Sequence, residues 1–211
     1  EIYTLSLHDA LPISIHQGGI RQGGAFELKQ VTWAFNAALE SPEIRNDPVK
    51  RAALQAVDIK EWFGRMPWSR GHSPLSLAPE YESYVFDQWE HGVFDAYWKQ
   101  VGIYAEGSYD RYSDVPILWM SSWYDPYPRT ATDNYMALQR RKRSPQRLIL
   151  GPWTHGNNAD TFAGDVDFGP TAQLAGNLAP DLLTLRLRWF DRWLKGRSEE
   201  HTSELQSPIH I

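Results

Sequence analysis

Two stretches of the chain decide the fold, VPILWMSSWYD at residues 115–125 and RLILGPWTH at residues 147–155. Each begins with a short continuous apolar run, which is typical of a strand buried on both faces of a mainly parallel sheet. A helical pattern from Thr130 to Arg143 separates the two runs, and another extends from Leu182 to Leu194, before Gly196. The alternation of strand and helix predicts an α/β fold with a parallel sheet.

An acidic and an imidazole side chain follow directly after these two predicted strands. In parallel sheets, catalytic groups collect where the carboxyl ends of the strands meet, so Asp125 and His155 are expected to lie close together. A buried carboxylate bonded to one imidazole nitrogen leaves the other nitrogen free to act as a general base. The same two residues are also compatible with a strand-end capping aspartate and a structural histidine.

The region before residue 113 has a different, mostly helical pattern. Apolar residues recur at helical spacing from Phe26 to Leu39, and Asp47-Pro48 begins another run that extends through Trp62. Further helices are predicted from Pro79 and around Val93–Trp98. No strand signal of comparable strength is present, so residues 25–112 are predicted to be an all-helical module.

Both ends of the chain resemble in-frame translations of sequencing adapters. We therefore expect residues 1–14 and 197–211 to be artefacts and to be disordered. When both segments are left out, the 21 basic and 26 acidic residues of the chain become 20 and 21, so the remaining segment is nearly neutral.

Composition also limits the classes of function. A neutral segment without a Lys/Arg stripe is not expected to bind nucleic acid, because phosphate binding requires clustered cations. No apolar run approaches the ~20 residues that a membrane helix needs, which predicts a soluble segment. The absence of cysteine excludes thiolate chemistry and leaves the cellular compartment open. The acidic residues 160, 165 and 167 lack the spacing of a calcium loop, so no metal is expected.

Four motifs in the same order resemble the CocE/NonD family of hydrolases, which includes cocaine esterase, α-amino-acid ester hydrolases and X-Pro dipeptidyl-peptidases. They are Trp123-Tyr124-Asp125, Gly151-Pro152-Trp153-Thr154-His155, Phe168-Gly169 and WFDRWLKG at residues 189–196. The Gly-Gly-Ala at residues 23–25 and the stretch from His91 to Trp98 are similar to the cap region of the same family.

The resemblance implies a partial α/β-hydrolase fold with an inserted all-helical cap. Residues 15–24 would be the end of the hydrolase core before the cap, residues 25–112 the cap, and residues 113–196 the C-terminal part of the core. It also implies that Asp125 is the acid and His155 the general base of a Ser-Asp-His triad, with no cofactor.

The nucleophile of that triad is not found in this sequence. The family carries its serine in a Gly-x-Ser-Tyr-x-Gly elbow before the cap, and no Gly-x-Ser-x-Gly occurs in this chain. We therefore expect a fragment of a serine hydrolase for small-molecule esters or short peptides that is inactive as it stands. Trp123, Tyr124 and Trp153 are expected to line the substrate pocket, since large rings often line apolar pockets.

A second interpretation is a non-catalytic module that binds a ligand in a Trp-rich apolar pocket. The sequence contains no signal for an oligomeric state, and it does not separate ester from peptide substrates.

Overall fold

The structure, a computed structural model, describes residues 16–100 and 102–196. These residues divide into two compact units, a helical unit of residues 16–100 and a sheet unit of residues 102–196. The segments 1–14 and 197–211, which the sequence assigns to adapter translations, lie outside the described residues. The assignment of residues 25–112 to a cap stays a prediction.

The helical unit contains a short hairpin followed by a series of α-helices. The hairpin strands are β1 (Arg21–Gln22) and β2 (Ala25–Phe26), and the helices are α1 (Lys29–Glu40), α2 (Pro42–Arg45), α3 (Pro48–Gln55), α4 (Ile59–Phe63) and α5 (Pro79–Glu90). A π-helical turn, His16–Ile20, precedes the hairpin, and a 3₁₀ turn, Ala96–Lys99, follows α5.

The core of the helical unit is formed mainly by α1 and α5, which pack against each other. The apolar face of α1 is fully buried there, as its helical spacing predicts. The buried side chains of this core are Val31, Ala34, Phe35, Ala38, Ile44, Leu54, Leu75, Ala78 and Val85.

The predicted all-helical pattern is wrong at Ala25–Phe26, which form strand β2. The preceding Gly23 and Gly24 have φ angles of 57° and 91°, and glycine adopts this left-handed region without strain. A two-residue Gly-Gly loop is typical of a tight hairpin turn, and here it pairs Arg21 with Phe26 and Gln22 with Ala25.

The predicted helical run from Asp47 to Trp62 is divided into two helices. The side chain of Asp58 accepts hydrogen bonds from the N–H groups of Lys60 and Glu61, at 2.9 and 3.3 Å, and so begins α4 as a new helix. The helix predicted around Val93–Trp98 is likewise reduced to the 3₁₀ turn that starts after Asp95.

The sheet unit alternates strands and helices as the sequence predicts. Its elements are β3 (Ile117–Tyr124), α6 (Pro128–Arg141), β4 (Gln146–Thr154), β5 (Phe162–Ala163), β6 (Val166–Asp167) and α7 (Leu182–Lys195), with 3₁₀ turns at Glu106–Arg111 and Pro170–Ala172. Strands β3 and β4 pair in parallel, whereas β5 and β6 form a small antiparallel hairpin. The helices with a parallel strand pair confirm the predicted α/β class.

Both faces of the β3–β4 pair are covered, because successive strand residues point to opposite sides. Leu118 packs with Leu185 and Trp189 of α7 on one face. The next residue, Trp119, packs with Leu138 of α6 on the other face. The continuous apolar run, which predicts a strand buried on both faces, therefore contributes side chains to two separate cores.

Strand β4 contains a close contact between Gly151 and Trp153. The Trp153 indole lies where a side chain at residue 151 would be. The indole is buried in the core shared with α7 and donates a hydrogen bond to the carbonyl oxygen of Ala172.

Among the described residues, no helix combines the length and the apolar composition that crossing a bilayer requires.

We predict that Gly151→Ala destabilises the chain by about 1–3 kcal/mol, because the added Cβ would overlap the buried Trp153 indole and force the core to shift. The free energy of unfolding in urea would measure this loss. Gly92→Ala is the control, because its Cβ would meet only the Arg21 guanidinium at an ordinary 3.9 Å. Equal stability of both variants would contradict the prediction.

The end of α5 carries a histidine–aspartate pair. His91 Nδ1 lies 2.6 Å from Asp95 Oδ2, and Asp95 Oδ1 accepts a hydrogen bond from Tyr97 N at 2.9 Å. The hydrogen bond with His91, followed by that from the Tyr97 backbone, lowers the pKa of the Asp95 carboxyl below its ordinary value.

A lowered folded-state pKa means that Asp95 stabilises the fold above the ordinary carboxyl pKa of about 4, and that this contribution is lost as the pH falls below it. We expect Asp95→Asn to reduce the change in urea midpoint between about pH 6 and pH 3. A pH dependence identical to that of the unaltered chain would show that Asp95 makes no such contribution.

Candidate active site

The register of the parallel pair changes just before the two strands end. Residues are paired with an offset of 29 from Ile117↔Gln146 through Ser122↔Gly151, and the offset becomes 30 at Tyr124↔Thr154. One extra residue in β4 is therefore accommodated around Pro152, which cannot donate a hydrogen bond to a strand ladder. The shift puts residue 155, and not residue 154, beside residue 125.

The shift brings the two sequence-predicted residues into direct contact. His155 Nδ1 lies 2.7 Å from Asp125 Oδ2. The Asp125 side chain is only 6% exposed, whereas that of His155 is 48% exposed. The carboxylate is thus shielded from water while the imidazole extends toward solvent, and the described residues supply no hydrogen-bond partner for its other nitrogen, Nε2.

The Asp125 carboxylate is held by the start of α6. Its Oδ1 atom accepts a hydrogen bond from Tyr127 N at 2.7 Å, which forms an Asx turn. Pro128 occupies the first turn of α6, where its missing N–H costs nothing, and Thr130 donates to the carbonyl oxygen of Tyr127 at 2.7 Å. The turn leaves Oδ2 available to the imidazole.

His155 lies in a tight turn at the end of β4. Asn157 N donates to the carbonyl oxygen of Thr154 at 3.2 Å, and Gly156 has a φ angle of 76°. Asn157 also donates through its side-chain amide to Thr154 Oγ1 at 2.8 Å. These bonds close the turn immediately after the strand, so the imidazole projects from a defined backbone.

The three residues predicted to line a pocket lie in different surroundings. Trp123 and Tyr124 are each 51% exposed, and the Tyr124 ring contacts that of Phe168 at 5.7 Å. Trp153 is buried in the core of the sheet unit, so the structure does not bring it to the surface beside Asp125. The assignment of a pocket to these residues stays a prediction.

Tyr127 is a residue at this site that the sequence analysis misses. Besides its backbone bond to Asp125, its ring lies 5.3 Å from the His155 ring at an angle of 72°. The sequence Asp125-Pro126-Tyr127-Pro128 does carry a signal, since an Asp followed two residues later by a backbone N–H just before a helix-starting proline favours an Asx turn.

The part of the chain that the structure describes contains no group of three or more His, Asp or Glu side chains arranged to hold a metal ion.

Residues 7–157 match the model of a protein family described as X-Pro dipeptidyl-peptidase (S15 family). The matched range includes both Asp125 and His155, and it begins within the segment that the sequence analysis assigns to an adapter. No curated protein matches the chain.

We predict that Asp125→Asn changes which nitrogen of neutral His155 carries the proton. In the unaltered chain the Asp125 carboxylate can only accept hydrogen bonds, so His155 must carry its proton on Nδ1 to donate to it. In the variant, the amide oxygen accepts the hydrogen bond from Tyr127 N, and the amide NH₂ group faces the imidazole as a donor. The Nε2–H tautomer should then predominate.

Side-chain ¹H–¹⁵N correlation spectra at about pH 8.5, where imidazole is ordinarily neutral, would measure the tautomer. Asp133→Asn is the control, because Asp133 pairs with Arg129 on the exposed side of α6. An unchanged tautomer in Asp125→Asn would contradict the geometry described above.

Proposed function

Because the chain belongs to the X-Pro dipeptidyl-peptidase (S15) family, whose function is of the serine-hydrolase type, we propose that Asp125 and His155 are the acid and general base of a Ser-Asp-His triad. The observation that carries the proposal is the 2.7 Å contact between the two side chains at the ends of adjacent parallel strands. The reaction is cleavage of an acyl bond, in an ester or an amide.

The geometry supports a distinct role for each side chain. With its proton on Nδ1 and donated to Asp125, His155 presents the lone pair of Nε2 as a base. In acyl transfer, Nε2 removes the proton of a serine hydroxyl as its oxygen attacks the substrate carbonyl, and then gives that proton to the leaving alcohol or amine. A water molecule, deprotonated by the same nitrogen, then attacks the acyl-serine carbonyl; the bond to the serine oxygen breaks, the acid product leaves, and Nε2 returns the proton to that oxygen.

The carboxylate has an electrostatic task in this cycle. When Nε2 takes the proton, the imidazole becomes a cation, and a nearby buried carboxylate stabilises that cation more than water would. The Asp125 side chain is 6% exposed and anchored through its other oxygen to Tyr127 N, so it keeps its position as charge develops.

The serine is proposed to come from sequence N-terminal to this chain, in an elbow of the Gly-x-Ser-Tyr-x-Gly type that the CocE/NonD resemblance implies. No Gly-x-Ser-x-Gly is present here. The 211-residue chain by itself is therefore proposed to supply the acid, the base and part of the substrate pocket, and to be inactive without the nucleophile.

The substrates are proposed to be small-molecule esters or short peptides. The rings of Trp123 and Tyr124 are half-exposed and close in sequence to Asp125, and we propose them as candidates to contact an apolar acyl or side-chain group of the substrate.

We expect the 211-residue chain to hydrolyse p-nitrophenyl butyrate no faster than its His155→Ala variant does, because an acid and a base without a nucleophile cannot form an acyl-enzyme. Release of p-nitrophenol by both proteins would be followed at equal concentration. A faster rate that His155→Ala abolishes would show that the chain contains a nucleophile of its own.

The complete reading frame, recovered from the source DNA, provides the second test. We expect it to cleave p-nitrophenyl butyrate or an X-Pro p-nitroanilide. We expect Asp125→Ala to lower kcat/KM by a factor of about 10⁴ and His155→Ala by a factor of about 10⁶. His91→Ala is the matched control, since it removes a histidine of another histidine–aspartate pair.

Absence of hydrolysis with every acyl substrate would overturn the proposal. If the complete protein instead binds apolar ligands equally well with and without Asp125 and His155, the non-catalytic binding module is the better description.

A further inference from the structure

Two Asp-x-Tyr segments, one in each unit of the described residues, make the same contacts with a histidine. Asp95-Ala96-Tyr97 and Asp125-Pro126-Tyr127 both place a tyrosine two residues after an aspartate. In both, the aspartate Oδ1 accepts a hydrogen bond from the tyrosine backbone N, at 2.9 Å for Tyr97 and 2.7 Å for Tyr127. The other carboxylate oxygen, Oδ2, faces histidine Nδ1 at 2.6 Å for His91 and 2.7 Å for His155.

The tyrosine ring contacts the histidine ring in both arrangements. Tyr97 is stacked parallel to His91, with centroids 4.3 Å apart and an angle of 5° between the planes. Tyr127 meets His155 nearly perpendicularly, at 5.3 Å and 72°. The rings of the first pair are stacked in contact, and the edge-on geometry of the second is one that aromatic pairs prefer. A single tyrosine thus contacts both members of each histidine–aspartate pair.

We propose that Tyr127 is a positioning residue for His155, acting through its backbone on the carboxylate and through its ring on the imidazole; its catalytic importance rests on the function proposed above. The hydrogen bond at Nδ1 fixes one atom of the imidazole but still allows the ring to turn about that bond. A second contact on the ring itself removes this freedom, and the Tyr127 ring provides it.

The exposure of the site explains why a second contact matters here. The imidazole is 48% exposed, so water competes for its nitrogens and packing restrains it little. The carboxylate, by contrast, is buried and bonded at both oxygens. Of the two partners, the histidine is the one whose orientation depends on an additional restraint.

The test measures the tautomer of neutral His155 in the 211-residue chain at about pH 8.5, by side-chain ¹H–¹⁵N correlation. Removing the ring with Tyr127→Leu leaves the backbone N–H that holds Asp125. We expect the ratio of Nδ1–H to Nε2–H tautomer to fall about three- to tenfold, the range that corresponds to loss of one aromatic contact. Tyr127→Phe keeps the ring and should leave the ratio unchanged.

The chain offers matched internal controls. Tyr97→Leu should change the His91 resonances and leave those of His155 as they are, while Tyr127→Leu should do the reverse. The indole N–H resonance of Trp153, which is bonded to the Ala172 carbonyl, reports whether the sheet unit remains folded. Tyr127→Met, a longer and more adaptable side chain, is the second ring-less variant if that resonance is lost in Tyr127→Leu.

An unchanged His155 tautomer in a folded ring-less variant would overturn the proposal, and so would an equal loss in Tyr127→Phe. These results do not depend on hydrolysis, so they separate failure of the positioning role from failure of the proposed function. In the complete enzyme, a positioning role predicts a lower kcat at unchanged KM for Tyr127→Leu. A raised KM at unchanged kcat would instead assign the ring to substrate binding and overturn the proposal.

Discussion

The one-residue change of register between β3 and β4 determines which side chains meet at the carboxyl end of the sheet. With the offset of 29 that holds along most of the pair, residue 125 would lie beside residue 154. Side chains alternate between the two faces of a strand, so that register would also direct residue 155 away from its partner. The extra residue around Pro152 corrects both position and direction, and the contact between Asp125 and His155 depends on it.

The same segment of β4 is constrained from its other side by packing. Trp153 is buried against α7, and Gly151 is the residue that leaves room for its indole. The strand therefore cannot slide to another register without taking a large ring out of the core, which would cost several kcal/mol in lost burial. The sequence from Gly151 to His155 therefore determines both the packing of the core and the geometry of the site.

The sequence predicted those features of the structure that residue types and their spacing specify directly. The two buried strands, the helix between them and the meeting of Asp125 with His155 follow from hydrophobic patterns and from the geometry of parallel sheets. The end of α7 at Gly196, in the left-handed conformation, follows from local chain chemistry. Each of these features depends on residue types that the sequence displays directly.

The features that sequence analysis missed depend on side chains that compete for backbone groups or on packing between distant residues. Asp58 divides one predicted helix into two because its carboxylate binds free N–H groups. Trp153 is buried because α7 covers it, a contact between residues more than thirty positions apart. The proposed role of Tyr127 combines both kinds of interaction. Its backbone turn with Asp125 is local, whereas its ring contact with His155 joins two loops.

Asp125 and His155 belong to one continuous strand–helix–strand segment, from Ile117 to the turn at Gly156. The two side chains and the turns that hold them therefore all lie within this one segment. A crossover outside this segment transfers Asp125 and His155 together, whereas a crossover inside α6 separates them. Chimeras of related hydrolases that join at the borders of this segment would inherit the pair intact from one parent and every other part of the site from the other.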